Sequence, residues 1–461
     1  MKESKFISIF IGGAFVLLLV LAFSFNGTGD SGDSITHYLF ARYAFTDHNN
    51  FYDTWAKPLY VLLAAPFAQL GFTGIKIFNI LNTILSMVAT YLIAKRLNMA
   101  SSWLVPVLLL LSPLNFALSL SGLTEPLFAS MLITGLCLLL YEYSIAGLIL
   151  LSFIPFLRSE GMFLLIIIAA YLIREKKYKS IVLLFTGQLV YALAGYFHSG
   201  SLLWFYQSNP YSVISKYGHG AFNTYFINMP LIAGPASCLL LGIGFICLPL
   251  GTFKAPAVQS RFLLLIWVLF AAYFFFHVIS WTFGLFSSLG LPRTINGIMP
   301  LMIILCLYGY NQLGVLLKMK FKNHAIIYNY TAILIIGINL VFMVVKFTKH
   351  NGSWLELMPT TDELVENKMT DYIKQKYTDY NNRQIIYHAP YLSVLLNIDP
   401  TSMLRNTSPN KLYIWDDWYS VVEGGITLDM LRKDTTLVYD TSFIMHTGSG
   451  KARSVALFRS K

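Results

Sequence analysis

Charged residues are scarce in this chain of 461 residues, and their scarcity excludes an ordinary soluble protein. Asp, Glu, Lys and Arg make up 12% of the residues, against 56% hydrophobic residues and a mean hydropathy of +0.61. A soluble domain of this size carries about twice that charged fraction. The apolar residues come in runs of about 20, the length that crosses a bilayer core as a helix. The composition therefore predicts an all-α polytopic membrane protein.

The chain also lacks a cysteine framework and a recognisable nucleotide-binding loop. Its four cysteines all lie in apolar runs, where cysteine is a small buried hydrophobe. Neither a GxxxxGKS/T loop nor a strand-linked GxGxxG is present. The net charge of +11 comes mainly from short loops, without a basic stripe interleaved with aromatic residues. Lipid bilayer is therefore an expected partner, and nucleic acid is not.

We predict about eleven transmembrane helices. Their approximate ranges are 6–25, 74–94, 101–118, 126–144, 146–157, 161–173, 180–198, 229–250, 262–281, 294–317 and 324–345. Two of these, 146–157 and 161–173, are too short to cross alone at about 1.5 Å per residue, and we expect half-depth helices there. Residues 57–71 are apolar but short, and we expect an interfacial or partly inserted helix.

The basic residues of the loops indicate the orientation and the domains. Most lysines and arginines lie in loops on one side, which the positive-inside rule assigns to the cytoplasm. Residues 26–57, 199–228 and 282–293 then face outward, together with the C-terminal tail. In the tail, short apolar runs bounded by turn residues predict strands alternating with helices. We predict a transmembrane domain over residues 1–345 and a small extracytoplasmic α/β domain over residues 346–461.

The segment GDSGDSITHYLFARYAF, residues 29–45, places two acids just after the first span. Asp33 and His37 are four residues apart, so that on a helix they share one face and can interact. Asp33 is either the cap of that amphipathic helix or a catalytic carboxylate, and the spacing alone does not choose between them. Asp30 lies in a Gly/Ser-rich turn and is interpreted as a turn residue.

Three cations lie where an apolar helix meets a polar segment. Lys57 precedes Pro58 at a helix start, where it is either a membrane anchor or a phosphate ligand. Arg158 and Glu160 interrupt an apolar stretch, and we expect an ion pair that joins two half-helices; a contact of Arg158 with a lipid phosphate is the functional alternative. Arg293 precedes a late apolar helix and either binds phosphate or anchors that helix.

Glu125 is a further acid, located just before Pro126 at the outer end of a span. An acidic side chain near the membrane is costly unless it is solvated or faces a cavity. Glu125 is either a first-turn acid favoured by the helix dipole or a ligand for a metal or an acceptor, and we favour a functional role. The tail motif WDDW, residues 415–418, is interpreted mainly as a turn at a strand end.

Taken in order, these motifs resemble the GT-C class of membrane glycosyltransferases, within it glycosyltransferase family 39, the protein O-mannosyltransferases, and the related aminoarabinose transferases. GDSITHYLFARYAF is similar to the acid-bearing first outer loop of that family, WAKPLYVLLAAPFAQLG to its Lys-Pro segment, and SGLTEPLFA to its second acidic outer-loop position. FLRSEGMFLL resembles its Arg-Pro-Glu-Gly stretch, with Ser159 in place of the proline. GLPRTINGIMPL resembles its Pro-Arg sequence before a late helix. Ser34 stands where the family often has a second acid.

The resemblance implies a reaction and assigns roles to residues. The donor is a sugar linked through phosphate to a polyprenyl chain, and the acceptor is a hydroxyl of a glycan, lipid or protein on the extracytoplasmic face. The residues that the resemblance assigns to catalysis are Asp33 as the base, with His37 and Glu125. The residues that it assigns to the donor phosphate are Lys57, Arg158 and Arg293. A divalent metal is compatible with this chemistry, but the sequence assigns no ligand to it.

A transporter or flippase of lipid-linked sugars is the alternative from a different class of protein. Many spans and the buried charges of Arg158 and Glu160 are compatible with it. Against it, the sequence has no internal repeat, and its acids gather on one side of the membrane. A polysaccharide polymerase or ligase is a second alternative among enzymes. The lack of eukaryotic retention signals favours a bacterial inner membrane.

Overall fold

The apolar runs form helices because a segment inside a bilayer must satisfy all its backbone N–H and C=O groups internally. In the computed structural model, 69% of the residues are helical and one small sheet lies near the C-terminus. The structure describes residues 2–247, 256–348, 357–400, 410–446 and 452–461. The fold class predicted from the sequence, a helical membrane part followed by a small α/β region, agrees with this architecture.

Seventeen helices precede the sheet region in the described residues. They are α1 (Lys2–Ser24), α2 (Asp33–Tyr43), α3 (Pro58–Ala68), α4 (Phe72–Arg96), α5 (Leu104–Leu110), α6 (Pro113–Leu118), α7 (Glu125–Leu140), α8 (Ser144–Ser152), α9 (Gly161–Arg174), α10 (Thr186–Ser199), α11 (Trp204–Gln207), α12 (Thr224–Ala233), α13 (Pro235–Cys247), α14 (Pro256–Phe262), α15 (Leu269–Thr282), α16 (Met299–Lys320) and α17 (His324–Thr348). Short stretches of tighter or wider helix extend several of them, at Tyr178–Phe185, Leu263–Val268 and Pro292–Ile298.

Six helical segments in the described ranges are long and apolar enough to cross a membrane. They are Glu3–Ser24, Phe72–Arg96, Tyr178–Ser199, Val258–Thr282, Pro292–Lys320 and His324–Phe347. Helices α12 and α13 add a seventh span if the pair, bent by 119°, counts as one. The predicted count of eleven is not confirmed. The run 101–118, for example, divides into α5 and α6 at Pro113, whose ring cannot continue a helix.

Short apolar helices occur where the sequence predicts them. Helices α8 and α9 flank the Arg158–Glu160 stretch, and neither is long enough to span. Helix α3 has 11 residues and begins directly after Lys57, with Pro58 in its first turn. Short helices are therefore present at both predicted half-depth segments and within residues 57–71, while their depth in the membrane stays a prediction.

Helix α2, which carries Asp33 and His37, is covered on both sides. Ile35 and Leu39 are buried, as predicted for its apolar face, but His37 and Ala41 are buried too. Helix α3 packs against α2 from the membrane part, and a helix of the C-terminal region, α19 (Pro390–Leu396), contacts it as well. The predicted apolar face of α2 is buried, and the opposite face is packed as well, because the His37 ring stacks on Trp55.

The C-terminal region forms a four-stranded mixed sheet with flanking helices. Its remaining elements are α18 (Thr361–Lys376), β1 (Gln384–Ile386), β2 (Lys411–Asp416), α20 (Tyr419–Val422), α21 (Leu428–Lys433), β3 (Leu437–His446) and β4 (Ala452–Ser460). The strand order is β1-β2-β4-β3, with β1 and β2 parallel and the other two pairs antiparallel. Apolar side chains of α18 and the sheet form their own core, separate from the membrane core. Helix α17 continues to Thr348, past the predicted domain boundary at residue 345.

Candidate active site

Asp30 and Asp33, in the loop after α1 and at the start of α2, share one cation. Arg293 donates from Nη1 to Oδ2 of Asp30 at 2.9 Å and from Nη2 to Oδ2 of Asp33. The Asp33 side chain stays 44% exposed, whereas that of Arg293 is 12% exposed. Arg293 therefore holds the Asp33 carboxylate on one side and leaves the rest of it accessible. These three residues form the outer cluster.

Asp30 forms the turn that leads into helix α2. Its Oδ1 accepts hydrogen bonds from the backbone N–H of Gly32 at 2.8 Å and of Asp33 at 3.1 Å. This is the geometry of an Asx turn, in which a short acidic side chain replaces a backbone acceptor. The interpretation of Asp30 as a turn residue is confirmed. Gly32 occupies the N-cap position, so the interpretation of Asp33 as the cap is wrong.

The surroundings of Asp33 and His37 fix their charges at neutral pH. Burial raises the pKa of the Asp33 carboxyl, but the charge and hydrogen bond of Arg293, together with His37 and Arg158, outweigh that effect, and this pKa lies below its ordinary value of 3.8. Burial lowers the pKa of the His37 imidazole to about 3. At pH 7 Asp33 is therefore an ionised carboxylate and His37 is a neutral ring.

His37 is placed by aromatic packing. Its ring stacks on Trp55, with the ring centroids 4.8 Å apart, and lies 5.4 Å from the ring of Tyr60. Its Nδ1 atom is buried without a hydrogen-bond partner among the described residues. Asp33 and His37 interact electrostatically, as their spacing predicts, but no direct hydrogen bond between them occurs within those residues. A neutral ring with one unsatisfied nitrogen can still serve a polar ligand.

Lys57 is buried, and its backbone adopts a left-handed conformation with φ of +70°. A residue with a side chain seldom adopts this conformation, and such strain clusters at ligand sites. The Lys57 Nζ donates to the carbonyl of Thr54 at 3.2 Å and to the hydroxyl of Tyr211 at 2.8 Å. Within the described ranges no carboxylate is paired with Lys57. Tyr211 lies between α11 and α12, and no local pattern in the sequence indicates its pairing with Lys57.

Glu125, Arg158, Glu160 and His277 form a second, deeper cluster. Arg158 donates from Nη1 to Glu125 at 2.9 Å and from Nη2 to Glu160 at 3.1 Å. His277 Nε2 lies 3.3 Å from the same Glu160 oxygen. None of the four side chains is more than 14% exposed. The predicted ion pair of Arg158 and Glu160 is confirmed, and Glu125 is a second partner of the same guanidinium.

The outer and deep clusters lie within electrostatic range of one another. The charge of Arg158 acts on Asp33, and the charge of Glu125 acts on Arg293. Lys57 acts on His37 in the same way. The structure thus brings the six residues that the sequence singles out into one region, although they come from five separate segments of the chain.

A divalent metal does not fit this region well. In the part of the chain that the structure describes, no three His, Cys, Asp or Glu side chains gather in a way that could hold a metal ion. The two acids of the outer cluster are already bonded to Arg293. One carboxylate oxygen of each acid, the kind of ligand that a hard cation prefers, is thus bonded to a guanidinium instead.

Comparisons with known proteins support the fold. No protein-family sequence model matches the chain, and no curated protein matches it either. The crystal structure of ArnT from Cupriavidus metallidurans bound to undecaprenyl phosphate superposes with a TM-score of 0.65 at 11% identity and covers 98% of both chains. The apo structure of the same protein gives a TM-score of 0.64 at 10% identity, covering 99% of this chain and 98% of ArnT. From end to end, this chain has the fold of ArnT.

Proposed function

We propose that this chain is a membrane glycosyltransferase that moves a sugar from a polyprenyl-phosphate donor to an acceptor hydroxyl. ArnT is a GT-C glycosyltransferase, and one of the two matching structures holds undecaprenyl phosphate. The observation that carries the proposal is a partly exposed, ionised Asp33 beside Arg293 and near Lys57, on that fold. An acid able to take a proton and cations able to receive a phosphate are the two requirements of this reaction.

In the proposed reaction Asp33 is the base. The acceptor oxygen attacks the anomeric carbon, and the new C–O bond forms as its proton passes to the Asp33 carboxylate. The bond between the anomeric carbon and the phosphate oxygen breaks, and its electron pair leaves with the polyprenyl phosphate. Attack from the face opposite the phosphate inverts the anomeric carbon. A base placed in this way supplies about 10²–10⁴-fold in rate.

Lys57 is the best candidate for the donor phosphate among the three predicted cations. Arg158 is bonded to two carboxylates and Arg293 to two others, whereas the described partners of Lys57 are a carbonyl and a tyrosine hydroxyl. A phosphate oxygen carries negative charge and is a stronger acceptor for an ammonium than either. Arg293 adds positive charge next to the base, where it can stabilise the leaving group.

Arg158 and Glu125 have a different proposed role from the one that the resemblance implies. The Nη1 and Nη2 atoms of Arg158 are paired with Glu125 and Glu160 in a buried site, and its Nε atom has no hydrogen-bond partner among the described residues. A buried charge held by partners on both sides is needed mainly to keep those partners in place. We therefore assign Arg158 and Glu125 to the support of the site, while His37 remains a candidate ligand for the sugar.

The proposed reaction has a location in the cell, a donor sugar and a choice of acceptors. We place the protein in a bacterial inner membrane with the site on the extracytoplasmic face, where the positive-inside rule puts the loop of Asp33. A mannose-like hexose is the donor sugar that the resemblance implies. A glycan, lipid or protein hydroxyl can each serve as the acceptor, because the base requires only a removable proton.

A transfer assay tests the proposal against its alternatives. Purified protein in lipid vesicles is incubated with a radiolabelled polyprenyl-phosphate hexose and a mixture of lipid, glycan and peptide acceptors. We expect label in a new covalent product with the wild type and none with Asp33→Asn. Label that crosses the vesicle membrane unchanged supports a flippase, and a ladder of lengthening products supports a polymerase. Either result contradicts the proposal.

A further inference from the structure

The segment that leads to Asp30 and Asp33 is held from two sides by buried charged side chains. From the membrane part, Lys76 of α4 donates from Nζ to the carbonyl of Phe25 at 2.7 Å. From the C-terminal region, Glu363 of α18 accepts a hydrogen bond from the Thr28 N–H at 3.3 Å and another from the Thr28 hydroxyl. Both Lys76 and Glu363 are buried, and their charges interact across the segment.

Two further contacts join the C-terminal region to the same loop. The N–H of Gly27 donates to the carbonyl of Leu357 at 3.0 Å. A Cβ atom added to Gly27 would lie 2.4 Å from that oxygen, and one added to Gly32 would lie 2.3 Å from the hydroxyl of Tyr419. The loop therefore approaches the C-terminal region so closely that only glycine fits at these two positions.

The carboxylate of Glu363 is fixed before it meets the loop. Its Oε2 accepts from the N–H of Thr360 at 2.6 Å, and the Thr360 hydroxyl in turn accepts from the Glu363 N–H at 3.3 Å. This reciprocal pair is a capping box, which needs only one oxygen of the glutamate. The other oxygen is directed at Thr28. A buried carboxylate is costly unless each oxygen is hydrogen-bonded, so the loop contact and the cap are both required.

Hydrogen bonds connect Thr28 to the segments that carry both clusters. The Ser34 hydroxyl donates to the carbonyl of Thr28 at 2.8 Å and accepts from the N–H of Gly122 at 2.6 Å. Gly122 lies three residues before Glu125 of the deep cluster. Asp30 and Asp33 lie between Thr28 and Ser34, so their positions relative to Arg293 depend on both ends of this short span.

We propose that the C-terminal α/β region positions the acid-bearing loop, with Glu363 as the positioning residue that acts through Thr28. Its consequence for catalysis rests on the proposed function. Glu363 touches no reacting atom in this scheme; it sets the place of the base. Displacing a catalytic group by about 1 Å can lower the rate roughly 100-fold, which makes such a contact measurable.

Variants on both sides of the contact test the catalytic consequence. Thr28→Val removes the hydroxyl, Thr28→Ser retains it, and Glu363→Gln replaces one acceptor oxygen by a donor. We expect Thr28→Val and Glu363→Gln each to lower kcat roughly tenfold without changing the KM for the donor. Thr28→Ser should keep the kcat of the wild type. The double variant should be no worse than either single variant, since both remove one contact. Asp371→Asn, on the exposed side of α18, is the matched control and should match the wild type.

Hydrogen exchange tests the positioning independently of activity. In Glu363→Gln and Thr28→Val we expect the amides of residues 27–36 to lose protection while those of α4 and β4 keep theirs. Unchanged exchange in the loop overturns the proposal, as do additive losses in the double variant or equal losses in kcat for Thr28→Val and Thr28→Ser. If the wild type transfers no sugar, the proposed function fails, and the exchange result still decides whether Glu363 holds the loop. A global loss of protection in Glu363→Gln leaves Thr28→Val as the deciding variant.

Discussion

The outer and deep clusters have the same composition at their centres and different surroundings. Each has one arginine between two carboxylates, Arg293 in the outer cluster and Arg158 in the deep one. In the outer cluster Asp33 is 44% exposed, whereas no side chain of the deep cluster exceeds 14%. The two clusters therefore have equal pairing but unequal exposure to solvent.

The free-energy cost of an unpaired charge also differs between the two clusters. Near water, an acid can lose its arginine and recover hydration. In a buried site the same loss leaves an unpaired charge, which costs several kcal/mol. Variants of the outer cluster should therefore change activity, and variants of the deep cluster should change stability. The predictions below test this division, beginning with the largest effect.

Replacing Asp33 should have the largest effect on activity. We expect Asp33→Asn to lower kcat by about 10²–10⁴-fold, because the amide cannot take the proton from the hydroxyl of the acceptor. The melting temperature should stay close to that of the wild type, since the Asp33 side chain is partly exposed and Asp30 forms the turn before α2. Transfer rates and thermal unfolding of the purified variant measure both. Normal turnover by this variant would remove Asp33 as the base.

Replacing Arg158 should have the largest effect on stability. Arg158→Met leaves Glu125 and Glu160 without their shared cation, and we expect a loss of about 3–5 kcal/mol in the free energy of unfolding. The control is Arg432→Met, whose exposed arginine is 4.0 Å from its partner and should cost little. Thermal unfolding in detergent compares the two. A similar small loss in both variants would erase the difference between the clusters.

Replacing Lys57 should raise the KM for the donor and leave the KM for the acceptor unchanged. We expect Lys57→Ala to raise the KM for the polyprenyl-phosphate sugar roughly tenfold or more, because a charged hydrogen bond to the phosphate is lost. Lys216→Ala, which removes an exposed lysine paired with Glu423, should change neither KM. Steady-state kinetics with each substrate varied in turn gives the comparison. Equal changes in the two KM values would argue against a phosphate role.

The pH profile should show a smaller effect of Arg293. A base acts when ionised, so activity is present above the pKa of Asp33 and is lost as the pH falls through it. Arg293 keeps that pKa below 3.8 in the wild type. In Arg293→Lys a single ammonium replaces a guanidinium that bonds two carboxylates, so the pKa of Asp33 should rise. The acid limb of the kcat/KM profile should then move to higher pH by up to about one unit. An unmoved limb would show that Arg293 does not set this pKa.

Local features of the site are predictable from the sequence because they depend on near neighbours. The turn at Asp30, the start of α3 after Lys57 and the pairing of Arg158 with Glu160 all involve residues within a few positions of one another. The helical membrane part likewise follows from runs of apolar residues. Its number of spans does not, because proline breaks and short helices leave several runs below the required length.

The pairing partners across the fold are not visible in a single sequence. Arg293 is 260 residues from Asp33, and no spacing rule connects them. Tyr211 is one of many aromatic residues in its loop, and nothing local identifies it as the partner of Lys57. The burial of His37 was also unforeseen, because it depends on the packing of Trp55 and Tyr60 against its ring. Tertiary contacts of this kind override local periodicity.

The bond between Thr28 and Glu363 joins residues 335 positions apart. Thr28 is among the first parts of the chain to be synthesised, and Glu363 is made only after every membrane helix. If Glu363 positions the loop as proposed, the loop reaches its final position only after synthesis has passed Glu363 and the C-terminal region has folded. A chain that ended before Glu363 would insert its helices and still lack an ordered loop. Catalytic activity would then require the C-terminal region.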